Sequence, residues 1–218
     1  MADSGDLPLL GGHLSLDFAN TLEWRGSARE RDWLTGYEAL VAWALRAGAV
    51  DGREAEELRA YADWAPGSAA EVLAEARALR EAVYLVAAAL AAGGTPEALE
   101  VADLEALNRR LAPLLGETRL SATAGGLVPA WGGASDDLAR VLWPVARSAF
   151  DLLSGNAAGR LRECAGSDCH WLFLDRSKNG SRRWCAMSNC GNLAKARRHR
   201  AKSHRARTQH RTGSQVLE

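Results

Sequence analysis

Lysine is scarce in this chain, three residues in 218, and cysteine is little commoner, with four. Both types are confined to residues 160–218, so whatever chemistry they serve belongs to the end of the sequence. No apolar run approaches the ~18 residues of a membrane-spanning helix. Met1–Leu10 carries two aspartates and no basic residue, unlike a secretory leader. The expected location is therefore cytoplasmic, away from any membrane. The sequence also lacks an internal repeat, a glycine-rich phosphate loop, a nucleophile elbow and a Ser/His/Asp grouping legible from spacing. No enzymatic activity is expected from it. With 47% apolar and 25% charged residues, the composition excludes collagen-like, mucin-like and wholly disordered chains.

A formal net charge of zero conceals a division. Residues 1–159 hold 13 basic and 23 acidic side chains, whereas residues 160–218 hold 14 basic and 4 acidic. An acidic body of residues 1–159 thus precedes a basic module, residues 160–218, suited to a polyanion.

The body reads as mostly helical. Thr35 is placed to cap a helix through Tyr37, Leu40, Val41, Ala44 and Leu45 that stops at Gly48. A second helix opens at Asp51 and runs toward Trp64, with Pro66–Gly67 as its end. Ser68 and Glu71 have capping-box spacing before a long Ala/Leu/Val helix that stops at Gly93–Gly94. Thr95–Pro96 starts the next, and Pro113 is expected to end or distort it. Gly125–Gly126 between two short runs predicts a β-hairpin. Ser135 would cap a final helix reaching Leu153, broken near Pro144, and Gly155–Gly159 marks the module boundary. About 150 residues are enough to build a core without metal or disulfides. Six tryptophans in the body (24, 33, 43, 64, 131 and 143) read as packing rather than as a ligand pocket. His13 and Leu16–Phe18 are read as structural.

The cysteines follow C-x4-C-x15-C-x4-C: Cys164, Cys169, Cys185 and Cys190. Two short loops offering two thiolates each match the needs of one tetrahedral, structural zinc ion with no open coordination position. A cytoplasmic chain disfavours two disulfides, and x4 spacing is not that of a Cys-x-x-Cys redox pair. Four inert cysteines would need no paired spacing, and His170 is the only nearby rival ligand. Trp171–Leu174 reads as a strand, Asp175–Gly180 as a turn and Arg182–Trp184 as the returning strand. Knuckle, hairpin, knuckle and helix is the order of a treble-clef-like finger.

Asn192 is positioned to cap the last helix, and residues 195–211 carry eight basic side chains without one acid. Almost no apolar stripe accompanies them, so the segment suits a nucleic acid better than a protein core. Candidate contacts are Arg182, Arg183, Asn192, Lys195, Arg197, Arg198, Arg200, Lys202 and Arg205. This basic tail has no Phe/Tyr stacking platform for single strands, which favours duplex DNA over RNA.

The segment L-R-E-C-x4-C-x-W-L-F-L-D-x-S…R-R-W-C-x-M-x-x-C-G-N resembles the CGNR zinc-finger family of bacterial proteins. L-S-L-D-F-A-N-T-L, near the start, is similar to the opening of the ABATE domain that accompanies that finger. The resemblance implies that the four cysteines are zinc ligands and that the protein is a stress-induced transcription regulator. Arg182, Arg183, Trp184, Gly191, Asn192 and Lys195 match signature positions, whereas Leu193 stands where the family's name motif ends in Arg.

The expected architecture is mainly α (α+β): a helical domain with a small β-hairpin, then a treble-clef-like four-cysteine zinc finger ending in a basic helix. The leading functional expectation is a DNA-binding transcription regulator whose body senses a small-molecule effector or forms a homodimer. A protein–protein adaptor and an RNA-binding protein are the alternatives.

Overall fold

The computed structural model describes residues 7–132 and 136–200. Among the described residues six α-helices build the body: α1 Leu14–Ala19, α2 Tyr37–Arg46, α3 Gly52–Trp64, α4 Pro66–Ala91, α5 Val101–Gly116 and α6 Trp143–Ser154. Between α1 and α2 lies a two-residue ribbon, β1 Leu22–Glu23 and β2 Arg31–Asp32; after α5 comes the hairpin β3 Thr118–Thr123 and β4 Gly126–Trp131. The last sheet pairs β5 Leu161–Glu163 with β6 Leu172–Leu174, antiparallel. A helical segment over 192–200, here α7, follows.

Helix α4 is the organising element. At 1.5 Å per residue its 26 residues extend ~39 Å, and α1, α2, α3 and α5 all pack on it. Ala76, Leu79, Arg80, Val83, Val86 and Ala87 are buried at the spacing of one helical face. Arg80 avoids an unpaired buried charge through a two-pronged contact with Asp32, at 2.6 and 3.1 Å. The core around Trp43, Phe18, Leu40, Leu58, Leu107 and Val145 closes over this face.

Proline roles are where local reading and structure part. Helix α3 ends at Trp64 ahead of Pro66, as expected, but Pro66 also starts α4, because a first-turn residue needs no N–H partner; Ser68 then lies inside the helix and caps nothing. Pro96 opens only a 3₁₀ turn, Pro96–Ala98, and α5 begins at Val101 with Glu100 as its cap. Helix α5 runs through Pro113 to Gly116, since burial of Leu111 and Leu114 on either side outweighs one lost backbone bond. The cap of α2 is extended Gly36 rather than Thr35. Asp51 does open α3, with a reciprocal capping box to Glu54. Gly48 and Gly93 take the left-handed conformation just past their helices, and the hairpin turns at Ala124–Gly125, one residue earlier than the expected Gly–Gly pair, with Gly126 already paired to Thr123. Pro144 sits in the first turn of α6, directly after a 3₁₀ turn, Leu138–Leu142; Asp137 caps that turn, and Ser135 lies outside the described residues.

The cysteine module is stitched to the body. Buried Asn20 donates to the Leu172 carbonyl and accepts its N–H, both at 2.9 Å. The Leu174 N–H reaches the Gly11 carbonyl at 2.8 Å, and Leu16, Ala87 and Leu152 form one apolar cluster with Leu161, Leu172 and Leu174. His13 helps to pin α1 on α6, its Nδ1 lying 2.9 Å from Ser148 Oγ.

Asp17 shapes the pH response of this junction. Its Oδ1 accepts the Gly11 N–H at 2.8 Å, yet burial pushes its pKa from 3.8 up to about 6. Any side chain at Gly11 would press within 2.8 Å of Leu16. Because the folded pKa exceeds the unfolded one, the stabilisation is complete below pH 3.8 and is lost as pH rises through about 6. Asp17→Asn should therefore match the parent near pH 4 and exceed its stability at pH 8 by about 2–3 kcal/mol, measured by urea denaturation.

Candidate metal centre and nucleic-acid interface

Strand β5 delivers Cys164, whose N–H is held by the Trp171 carbonyl at 2.8 Å where the chain returns as β6. Within the first knuckle the Cys169 N–H closes on the Gly166 carbonyl at 3.1 Å; a Cβ at Gly166 would come within 3.2 Å of Cys190 Sγ. The second knuckle joins it through Ala165 N–H to Arg183 O, 2.9 Å, and Cys185 N–H to Cys164 Sγ, 3.3 Å. The partner of β6 is thus β5, ahead of the first knuckle, and not the Arg182–Trp184 segment expected to return beside it.

All four cysteines are buried, and their Sγ atoms lie within 4.8 Å of one another. Cys169 and Cys185 are separated by 3.7 Å, Cys185 and Cys190 by 3.6 Å. Four sulfurs each ~2.3 Å from a central ion stand ~3.8 Å apart, so these spacings fit a tetrahedral thiolate site. They are far longer than the ~2.05 Å of a disulfide. Hydrogen bonds from Cys169 and Cys185 hold the Cys164 thiol far below its usual pKa, while those same contacts and burial push Cys169 and Cys185 up. Burial, then the charge on Cys164, pushes up Cys190. Crowding thus favours a single thiolate, and all four sulfurs can be negative together only with a cation among them. His170 is outside the cluster: its Nδ1 lies 2.6 Å from Glu163 Oε1, with the backbone at φ 55°.

The family model for ABATE, described as "putative stress-induced transcription regulator", matches residues 12–156. The chain belongs to this family. The CGNR zinc finger model matches residues 160–203, so the cysteine cluster is the metal site of a zinc finger following the ABATE region. No curated protein matches the chain.

The ABATE region and its finger distribute the basic residues into two groups. Arg182, expected to meet nucleic acid, is half-buried and structural. Its guanidinium donates to the carbonyls of Leu10, Trp184 and Cys185 and lies 4.1 Å from the Phe173 ring centre. Arg160 and Arg176 are similarly engaged, with the Asp175, Ser177 and Gly12 carbonyls. Buried Asp175 holds the intervening loop by accepting the Ser177 and Arg182 N–H groups, each at 2.9 Å. Arg182→Ala should lower stability by about 2 kcal/mol through loss of these charge-assisted bonds. Arg183→Ala should leave melting nearly unchanged and weaken polyanion binding instead; thermal melts and binding of the two variants separate the roles.

The second group faces solvent. Arg183, Lys195, Arg197, Arg198 and Arg200 are exposed, and Lys195, Arg198 and Arg200 pair with no acid among the described residues. Arg197 bonds to Ser167 Oγ. Lys202 and Arg205 lie outside the described residues. Asn192 is not a cap: the chain enters α7 through a π-type turn, Met187–Gly191, from extended Ala186, and Asn192 is already helical. Its side chain donates to the Ser188 carbonyl at 3.4 Å.

Three residues that meet the finger escaped sequence reading. Asn20 orients β6 from 152 positions away. Trp24 and Arg29 on the β1–β2 loop reach the finger, where Arg29 pairs with Asp168 at 2.9 Å. Trp33, Trp43 and Trp143 are buried as expected of packing residues, but Trp24 and Trp184 line one cleft of about 350 Å³. Only the L-S-L-D-F-A-N-T-L match hinted that the start of the chain mattered to the finger.

Proposed function

We propose that this protein is a cytoplasmic, non-enzymatic transcription regulator that binds duplex DNA through its finger and α7. One structural zinc ion, held by Cys164, Cys169, Cys185 and Cys190, fixes where α7 leaves the body. The observation that carries the reading is the row of exposed Lys195, Arg197, Arg198 and Arg200 beginning five residues after the fourth cysteine. A basic helix braced by a metal site presents charge to phosphates at a fixed angle. The ABATE region would supply regulation, through a small-molecule effector or a homodimer. Among the described residues no helix is long and apolar enough to cross a membrane.

Binding of the full chain to a labelled duplex, with structured RNA as competitor, tests the reading. Duplex binding that resists RNA supports it. Preference for the RNA would reassign the interface to RNA, and binding to neither would favour the adaptor alternative.

A further inference from the structure

We propose that the cleft between the ABATE region and the finger receives a single unstacked nucleotide, its base against Trp24 and Trp184 and its phosphate on Arg29 and Arg197. This rests on the nucleic-acid reading only for the case in which the nucleotide belongs to a strand.

The cleft is assembled from distant parts of the chain. Trp24 and Arg29 come from the β1–β2 loop, Trp184 and Asp168 from the knuckles, Leu193 and Arg197 from α7. Its volume, about 350 Å³, is at the small end of the ~300–1,000 Å³ range of ligand sites. The Arg29 guanidinium lies 4.1 Å from the Trp24 ring centre, and Arg183 sits 5.7 Å from the Trp184 ring. Indole rings and guanidinium planes are the surfaces on which splayed bases stack, whatever their identity.

Trp24 is held there against its own backbone preference. Its φ is 56°, a conformation that bulky residues avoid. Arg25, the next residue, enforces it: the guanidinium pairs with Glu81, donates to the Ala19 carbonyl at 2.8 Å and lies 3.8 Å over Tyr84. The Ser27 N–H closes the turn on the Trp24 carbonyl at 3.0 Å. A strained and anchored aromatic facing a cleft is preorganised for a planar ligand.

Charge selects the rest of the ligand. Cys169 and Cys190 border the cleft, so its floor is negative when they are thiolates. Arg29 and Arg197 are the cations that make an anion acceptable, and Asp168 already engages Arg29. A phosphate competes with Asp168 for Arg29, whereas the base lies on Trp24, Trp184 and the 47%-exposed Leu193. Leu193, which stands where the CGNR motif has Arg, widens the apolar portion of the cleft.

The test uses the full chain loaded with zinc. Calorimetry with AMP reads the free nucleotide, and anisotropy compares a duplex carrying one bulged adenosine with its fully paired counterpart. If a free nucleotide is the ligand, AMP binds, Trp24→Ala weakens it roughly ten- to hundredfold and Trp24→Phe restores most of it. If the nucleotide belongs to a strand, the same variants act on the bulged duplex alone, which otherwise binds at least tenfold tighter than the paired one. Asp168→Asn should tighten either ligand by releasing Arg29. Zinc content confirms that each variant keeps its finger. AMP that does not bind, together with equal affinity for both duplexes in parent and Trp24→Ala protein, overturns the proposal while leaving paired-duplex binding intact.

Discussion

Replacing Cys185 by serine is expected to remove the metal and undo the finger while the body keeps its helices. Zinc in four-ligand sites contributes about 10–16 kcal/mol in isolated finger peptides, comparable to or above the ~5–15 kcal/mol that stabilises an ordinary domain. Apart from the Asn20 clamp and its packing on Leu16, Ala87 and Leu152, the described finger holds itself with little: two three-residue strands and a few apolar side chains. Core residues such as Trp43, Leu79, Val83 and Val145 lie on the body's own helices, although their apolar cluster continues into Trp171, Phe173 and the four cysteines. Elemental analysis should fall from about one zinc per chain to near none, with far-UV circular dichroism mostly kept. Leu16 and Leu152 would lose the cover of Leu161, Leu172 and Leu174, so new apolar surface should appear to a dye. Retention of metal by the variant would refute the assignment of the four ligands. Global unfolding would show instead that the body depends on its finger.

Truncation after Asn192 is expected to abolish most nucleic-acid affinity and keep the zinc, since all four cysteines precede the cut. The deletion takes Lys195, Arg197, Arg198 and Arg200, together with four basic residues beyond them. With about six phosphates neutralised, the log–log salt slope of the full chain should lie near −5 on duplex DNA. Raising salt from 50 to 200 mM should then cost the full chain about a thousandfold in affinity. The truncated protein keeps Arg183 near the metal site, with the exposed Arg160, Arg176 and Lys178 elsewhere on the finger, and should show a much shallower slope. Equal slopes for the two would remove α7 from the interface and leave the adaptor role.

Signals that act through chain neighbours were legible in the sequence. Cysteine spacing located the metal site, Gly48 and Gly93 marked helix ends, Asp51 opened α3 and the Gly–Gly pair located the hairpin turn to within one residue. Proline was legible as punctuation but not as to which side of it the helix lies: Pro66 and Pro144 begin helices, and Pro113 is overridden by the burial of Leu111 and Leu114. Arg182 and Arg183 look interchangeable in sequence. They diverge because the Leu10, Trp184 and Cys185 carbonyls converge on one of them, a fact of three-dimensional closure. Asn20 and Trp24 were illegible for the same reason, their partners lying some 150 positions away.

Asn20 grips both the N–H and the carbonyl of Leu172, and the apolar cluster around Leu16 lies beside this grip. The finger is therefore not a hand on a tether. A module joined by a supple linker samples many bearings, and each encounter with a partner must first freeze one of them. Here the bearing is chosen when the chain folds. Recognition can then be exacting in angle as well as in charge, and a shift of α1 or α4 by a fraction of an ångström would re-aim α7 as a whole.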